Sequence, residues 1–199
     1  MKKLLSLILL LSFTIKAQEI KIGTQTWTTK NLDVTKYRNG DAIPQVQDKN
    51  AWANLTTGAW CYYENKTANG TTYGKLYKWF AVNDKRGLAP KGYHIPNMAE
   101  GDKLSDYLGG EEIAGAKMKS SSGWQNNGNG SNASGFSGLP GGVRRENGDF
   151  KGIGGGFGFW ISAEDGANNG GGLALEEDSE LYGDFINKHC GCSVRCIKD

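Results

Sequence analysis

Of the chain's 30 glycines, 21 fall between Gly101 and Gly172. Such a stretch cannot sustain long helices, because each glycine costs roughly 1 kcal/mol against alanine in a helix interior. It also supplies few side chains with which to pack. Short hydrophobic pieces survive inside it: 136–139, 150–153, 157–161 and 173–175. They read as strands joined by long irregular loops. The six Trp, eight Tyr and seven Phe of the 199 residues are too many for a disordered or collagen-like chain. The length suits one domain built on an aromatic core.

The first 17 residues carry the parts of a secretory signal: Lys2-Lys3, an apolar run over 4–13, and Ile15-Lys16-Ala17 as the cleavage end. The run is too short to span about 30 Å of hydrocarbon. The chain therefore divides into a signal over 1–17 and one domain over 18–199, and it is expected to be secreted or otherwise extracytoplasmic. No later apolar run approaches a membrane span, so no transmembrane segment is expected in the mature chain. Removing Lys2, Lys3 and Lys16 from the 23 basic residues leaves them one short of the 21 acidic ones. A near-neutral balance excludes a broadly basic nucleic-acid binder, whose affinity rests on phosphate neutralisation.

Local patterns place the elements. Residues 20–27 alternate around Gly23-Thr24 and predict an opening hairpin. Residues 59–63 read as a short aromatic strand followed by a polar loop over 64–72. Leu76, Trp79 and Phe80, at i, i+3 and i+4, favour a short helix. Asn97 and Glu100 fit a capping box, with Leu104, Tyr107 and Leu108 as the apolar face and Gly109-Gly110 as the stop. A second helix is predicted over 112–119. Helices in the middle and strands at both ends indicate an α+β domain.

All four cysteines, Cys61, Cys190, Cys192 and Cys196, follow the leader. An even count in an exported chain points to disulfides, and four cysteines allow three connectivities. Cys190, Cys192, Val194 and Cys196 alternate with smaller or polar neighbours, so the tail reads as a strand with one inward face. The paired C-x₂-C spacing of a four-thiolate zinc site is absent.

Seven ordered blocks carry a resemblance over about 20–199: Ile22-Gly23-Thr24-Gln25-Thr26-Trp27 with Asn31-Leu32; Ala59-Trp60-Cys61-Tyr62-Tyr63; Tyr73-Gly74-Lys75-Leu76-Tyr77-Lys78-Trp79; Ala89-Pro90-Lys91-Gly92-Tyr93-His94-Ile95-Pro96; Ser134-Gly135-Phe136-Ser137-Gly138-Leu139-Pro140-Gly141-Gly142; Phe159-Trp160-Ile161-Ser162-Ala163-Glu164; and the tail from Ser193 to Asp199. With these the chain resembles the Fibrobacter succinogenes major paralogous domain, a family of exported bacterial proteins and modules. The resemblance implies a C-type-lectin-like single domain, also related to the formylglycine-generating-enzyme-like fold. Two main helices would pack on a twisted antiparallel sheet with long Gly-rich loops. It implies that Cys61 and Cys196 are partners, with Cys190 and Cys192 as additions of this chain. Where relatives read Glu-Trp, this chain has Glu100-Gly101, so the lost indole should open space or be filled by Met98 or Met118. Relatives also tend to a Trp-Ser-Ser-Thr-Glu run where this chain has residues 160–164.

No catalytic constellation emerges. His94 reads as a structural residue beside a helix start, and His189 as a surface residue rather than a metal ligand. Ser162 lacks a nucleophile elbow and a histidine placed to activate it. Residues 128–133 fit Gly-x-Gly-x-x-Ala but lack the strand before and the helix after that a dinucleotide site needs. No cofactor and no metal set are expected. Calcium is the one candidate ion, for Glu164, Asp165, Asn168 and Asn169 with the nearby acids of 176–178. For sugar stacking, Trp124 with Asn126 and Asn127 is the exposed candidate, while Trp27, Trp60, Trp79 and Trp160 read as core and Trp52 stays open. The ligand-binding candidates are thus Trp124, Asn126, Asn127, Glu164 and Asp165. The leading expectation is a non-catalytic domain that binds a surface glycan or a protein. The alternatives are an enzyme using the Cys190/Cys192 pair and a structural matrix component.

Overall fold

The computed structural model describes residues 18–199, so the expected signal over 1–17 lies outside the described residues. Strands β1 (Glu19–Ile22) and β2 (Gln25–Thr28) form the opening hairpin, with Ile20 opposite Trp27 and Gly23 turning at φ 60°. Helix α1 (Lys49–Asn54) starts where the Asp48 carboxylate accepts the Ala51 N–H. Then come β3 (Trp60–Cys61), α2 (Thr67–Tyr73), β4 (Leu76–Lys78), α3 (Trp79–Val82) and β5 (Tyr93–His94). Helices α4 (Met98–Leu108) and α5 (Glu111–Met118) precede the Gly-rich stretch. That stretch and the tail form β6 (Gly141–Arg144), β7 (Phe150–Ile153), β8 (Phe157–Asp165), β9 (Asn169–Leu175), β10 (Leu181–Asn187), β11 (Gly191–Val194) and β12 (Ile197–Lys198).

Two sheets result. The smaller runs β1-β2-β12-β5 and joins the two ends of the domain. The larger runs β10-β9-β8-β6-β11-β4-β3, with β7 paired to β6. Most pairings are antiparallel, but β8 runs parallel to both β6 and β11. The two-helix α+β expectation is therefore corrected: the domain is a mostly-β sandwich of two sheets, and its helices, of 4 to 11 residues, lie at the periphery of that frame. The pieces read at 150–153, 157–161 and 173–175 fall in β7, β8 and β9, and the piece at 136–139 makes only an isolated bridge at Gly138. Glycine hid the remaining strand residues. In β9 the run Gly170-Gly171-Gly172 shows no alternation, yet a side chain at Gly170 would collide with the Trp79 indole and one at Gly172 with Ile186.

Other local readings fare unevenly. The hairpin and the capping box form as read, with Asn97 Oδ1 accepting the Glu100 N–H and Glu100 Oε2 accepting the Asn97 N–H. Residues 64–72 are not only loop, since α2 begins at Thr67. Residues 76–80 divide into β4 and α3 because Leu76, Tyr77 and Lys78 extend into the large sheet. The tail strand β11 has no outward face, since all four of its residues are buried between β4, β6 and β8.

The apolar interior has three clusters. One gathers Trp27, Leu104, Phe136, Phe157, Phe159 and Leu175 under α4. A second surrounds Tyr77, Trp79, Trp160 and Val194, and the third holds Trp52, Cys61, Tyr63 and Leu76 beneath α1. Each such fully buried aromatic or aliphatic side chain contributes about 1.5–3 kcal/mol relative to exposure.

Buried among these side chains are six cations: Lys75, Lys78, Lys119, Arg144, Lys188 and Arg195. A buried charge is tolerated only with close polar partners, and here those are mainly loop carbonyls. Arg144 donates to the carbonyls of Val46, Gln47 and Gly148 at 2.7–3.0 Å. Arg195 donates to those of Thr28, Phe136 and Ser137 and to Asn31 Oδ1. Lys119 Nζ gathers the carbonyls of Glu176, Glu177 and Asp178. Aromatic faces complete the shells: Arg144 lies 4.4 Å from the Trp52 ring centre, Arg195 4.5 Å from Phe136, and Lys75 4.5 Å from Trp60. These heads supply the hydrogen bonds that irregular backbone cannot find in a ladder.

Candidate functional site

The residues predicted to bind ligand do not converge. Trp124 and Glu164 lie toward opposite ends of the β8–β9 hairpin, since Gln125 bonds to Gly154 just before β8 while Glu164 and Asp165 end that strand. Nine strand residues separate those ends by roughly 27 Å of extended chain.

Trp124 is not a sugar platform. It is 5% exposed, packs in the cluster beneath α4, and donates its indole N–H to Ser120 Oγ and to the Gly138 carbonyl at 3.2 and 3.0 Å. Lys119 sits 5.0 Å above its ring, so the indole walls a buried ammonium. The Asn-rich run suggested an exposed loop, and the loop is exposed; its tryptophan turns inward. Asn126 and Asn127 take left-handed backbone at φ 50° and 60°, which asparagine tolerates. Asn126 Nδ2 donates to Glu177 Oε1 at 2.7 Å.

Of the acidic candidates, Glu164 is committed elsewhere. Glu164 pairs with the buried Lys188 at 2.8 Å, and that hydrogen-bonded ammonium holds its carboxyl below the usual carboxylate range. Lys188 also donates to the Gly166 carbonyl. Among the described residues no group of three or more His, Cys, Asp or Glu is placed to hold a metal ion. Trp52, left open by the sequence, is fully buried and donates to the His189 carbonyl. The other four core tryptophans are buried as read.

The cysteines are buried and unpaired, which corrects the disulfide expectation. Cys61 belongs to the cluster beneath α1, and Cys196, with Cys190 and Cys192, to the central one. Strand β4 separates β3, which carries Cys61, from β11. Burial pushes the thiols of Cys61, Cys190 and Cys196 up to about 12, and that of Cys192 well above its ordinary value. Thiols so placed are poor nucleophiles.

The other single-residue candidates are structural as well. Ser162 Oγ lies 3.2 and 3.3 Å from the carbonyls of Ile95 and Pro96. His94 is clasped between Glu100 at Nε2 and Asp199 at Nδ1, both at 2.8 Å. His189 Nδ1 lies 2.9 Å from the Ala53 carbonyl, a geometry that places the proton there.

Sequence reasoning missed the groove that the Gly-rich strands create. A cleft of about 740 Å³ opens over β6, β8 and the end of β9. Its floor includes the backbone of Gly155, Gly156 and Gly158, with Val143, Ala174 and Ile186 as apolar patches. Arg145 and Lys151 line it together with Glu176, Glu177 and Asp178. Of the five ligand-binding candidates only Asn126 reaches this cleft, through Glu177, while the acids of 176–178, read as calcium candidates, line it. The clustering of glycines was the available signal, and it marks backbone that a ligand can approach closely, partly in the turn between β7 and β8 at Gly155 and Gly156 and partly within β8 at Gly158.

No helix among the described residues is long and apolar enough to cross a membrane. Comparison with curated proteins and with solved structures returned no match. The family model described as the Fibrobacter succinogenes major domain matches residues 20–198, almost the whole described chain. By that match the chain belongs to the Fibrobacter succinogenes major domain family.

Proposed function

We propose that this chain is an exported, non-catalytic domain that binds a glycan in the cleft over β6, β8 and β9. The observation that carries this reading is the cleft's lining: a glycine backbone floor and small apolar patches, flanked by carboxylates and cations. A sugar presents the same combination, with apolar ring faces and a rim of hydroxyls that both donate and accept. The glycine floor lets a flat ring approach the backbone without side-chain interference. Lys119 holds the acidic segment at 176–178 by its carbonyls, so its side chains stay at the cleft, where Glu177 Oε1 accepts from Asn126 and Asp178 Oδ2 from Tyr182. Export rests on the leader pattern of residues 1–17. The alternative of an enzyme working through Cys190 and Cys192 is disfavoured by the burial of both thiols.

A glycan array and a cell-wall pull-down test the reading, each run with and without chelator. Binding to at least one polysaccharide class is expected, and Glu177→Ala or Lys151→Ala should weaken it about three- to tenfold, the worth of one hydrogen bond. Absence of binding, or binding that both substitutions leave unchanged, would reject the cleft as the site. Equal binding with chelator present would remove calcium from the account.

A further inference from the structure

Resting on the reading above, we infer that the cleft over β6, β8 and β9 selects a zwitterionic glycan, one with a free amine on one sugar and a carboxylate on another. The sheet register lays out its floor. Tyr182 lies opposite Ala174, Ala174 opposite Gly158, and Val143 opposite Lys151. Gly158 and Val143 are neighbours across the parallel β6–β8 pair, since a Cβ at Gly158 would stand 3.2 Å from Val143. Directly opposite residues share one face of a sheet, so these residues form a single row from β10 to β7. Four strand spacings separate its ends, roughly 19 Å.

The two ends carry opposite charge. At the β7 end stand Lys151 and Arg145, the latter two residues beyond Val143 and so on the same face. The carboxylates beside them are taken by other lysines: Asp149 pairs with Lys49 at 2.6 Å and Glu64 with Lys66 at 2.7 Å. Neither Lys151 nor Arg145 forms an ion pair among the described residues. Glu176, Glu177 and Asp178 line the opposite side. Glu177 reaches over the floor, with Oε1 3.1 Å from where a Cβ on Gly155 would stand. Asp178 is held at the far end of the row by the Tyr182 hydroxyl. The Asn126 amide and that phenol fix these carboxylates without neutralising them. The Lys119 ammonium beneath the segment offsets one charge of the three.

A neutral sugar would leave both ends of the cleft without a counter-charge. A uniformly acidic glycan would be repelled at 176–178, and a uniformly basic one at Lys151 and Arg145. A glycan bearing both charges meets each end with its opposite. Its carboxylate takes the Arg145 fork and the Lys151 ammonium, and its own ammonium takes the acids. The ends lie farther apart than the Debye length of about 8 Å at physiological salt, so each pairing acts on its own. Between them Val143, Gly158 and Ala174 accept the ring faces.

Calorimetric titration of the purified protein with four forms of one hexasaccharide tests this. The parent alternates glucuronate with N-acetylglucosamine and is anionic. Removing its acetyl groups makes it zwitterionic, reducing its carboxyls makes it neutral, and both treatments together make it cationic. The zwitterionic form should bind at least about tenfold more tightly than any other. Lys151→Met with Arg145→Met should abolish its advantage over the cationic form. Glu176→Gln with Glu177→Gln should abolish its advantage over the anionic form. All four side chains are exposed, and melting curves establish that each variant is folded. No binding of the zwitterionic form, equal binding of all four forms, or a preference that neither double substitution moves would overturn the inference. The glycan reading is decided separately on the array. Neutral glycans binding in the cleft would keep that reading while ending this one, and a blank array would end both.

Discussion

Arg195 shows how a single side chain is used in this domain. Burial pulls its pKa below the ordinary arginine value, and four acceptors at 2.6–3.1 Å keep the guanidinium charged. Arg195→Met would leave three carbonyls and an amide oxygen unpaired, so a loss of at least about 3 kcal/mol is expected in urea denaturation. His94 makes a different demand. Burial opposes its protonation, but the hydrogen bonds it donates to Asp199 and Glu100 outweigh that and raise its pKa. A raised folded pKa means the clasp contributes fully below the ordinary histidine value of about 6.5 and is lost as pH rises through the raised one. Melting temperature should therefore fall across that window in the parent, at a pH where the carboxylates stay ionised. His94→Gln should flatten that slope.

At the scale of elements, close approach decides what glycine does. Gly115 lies inside α5, where alanine would ordinarily stabilise by about 1 kcal/mol. A Cβ there would stand 2.1 Å from the Glu180 carbonyl oxygen, so the clash wins. Gly115→Ala is expected to destabilise by about 1–3 kcal/mol, and a raised melting temperature would refute the packing of α5 on the segment before β10. Elements whose chemistry is local were legible in the sequence: α4 through Asn97 and Glu100, and the first hairpin through its alternation about Gly23. Strands β6 and β10 and the first half of β9 were not. Their faces are made partly of glycine, and what orders Gly170–Gly172 is a neighbouring indole and isoleucine from distant sequence. The candidate site failed for the same reason, because Trp124 is claimed by Lys119 and the Gly138 carbonyl rather than by solvent.

For the whole molecule, the thiols give the plainest test of how the interior is arranged. Alkylation of the native protein should modify none of the four cysteines, and alkylation after unfolding should modify all four. A disulfide found by mass spectrometry without reductant would overturn the unpaired arrangement. The disulfide-stapled domain suggested by the cysteine count is replaced by one held through three apolar clusters and six interior cations.

Those cations have a consequence for how such a domain diverges. Lys119, Arg144 and Arg195 grip backbone oxygens, and every residue type offers the same oxygen. The segments at 46–48, 136–137 and 176–178 can therefore exchange their outward side chains without releasing the grip that shapes them. Loop sequence is free to drift while loop path is inherited, so members of one lineage could carry different recognition surfaces on a constant frame. Substitutions along 176–178 should accordingly leave the fold intact, whatever they do to ligand binding, and tolerance at Lys119 should be near zero.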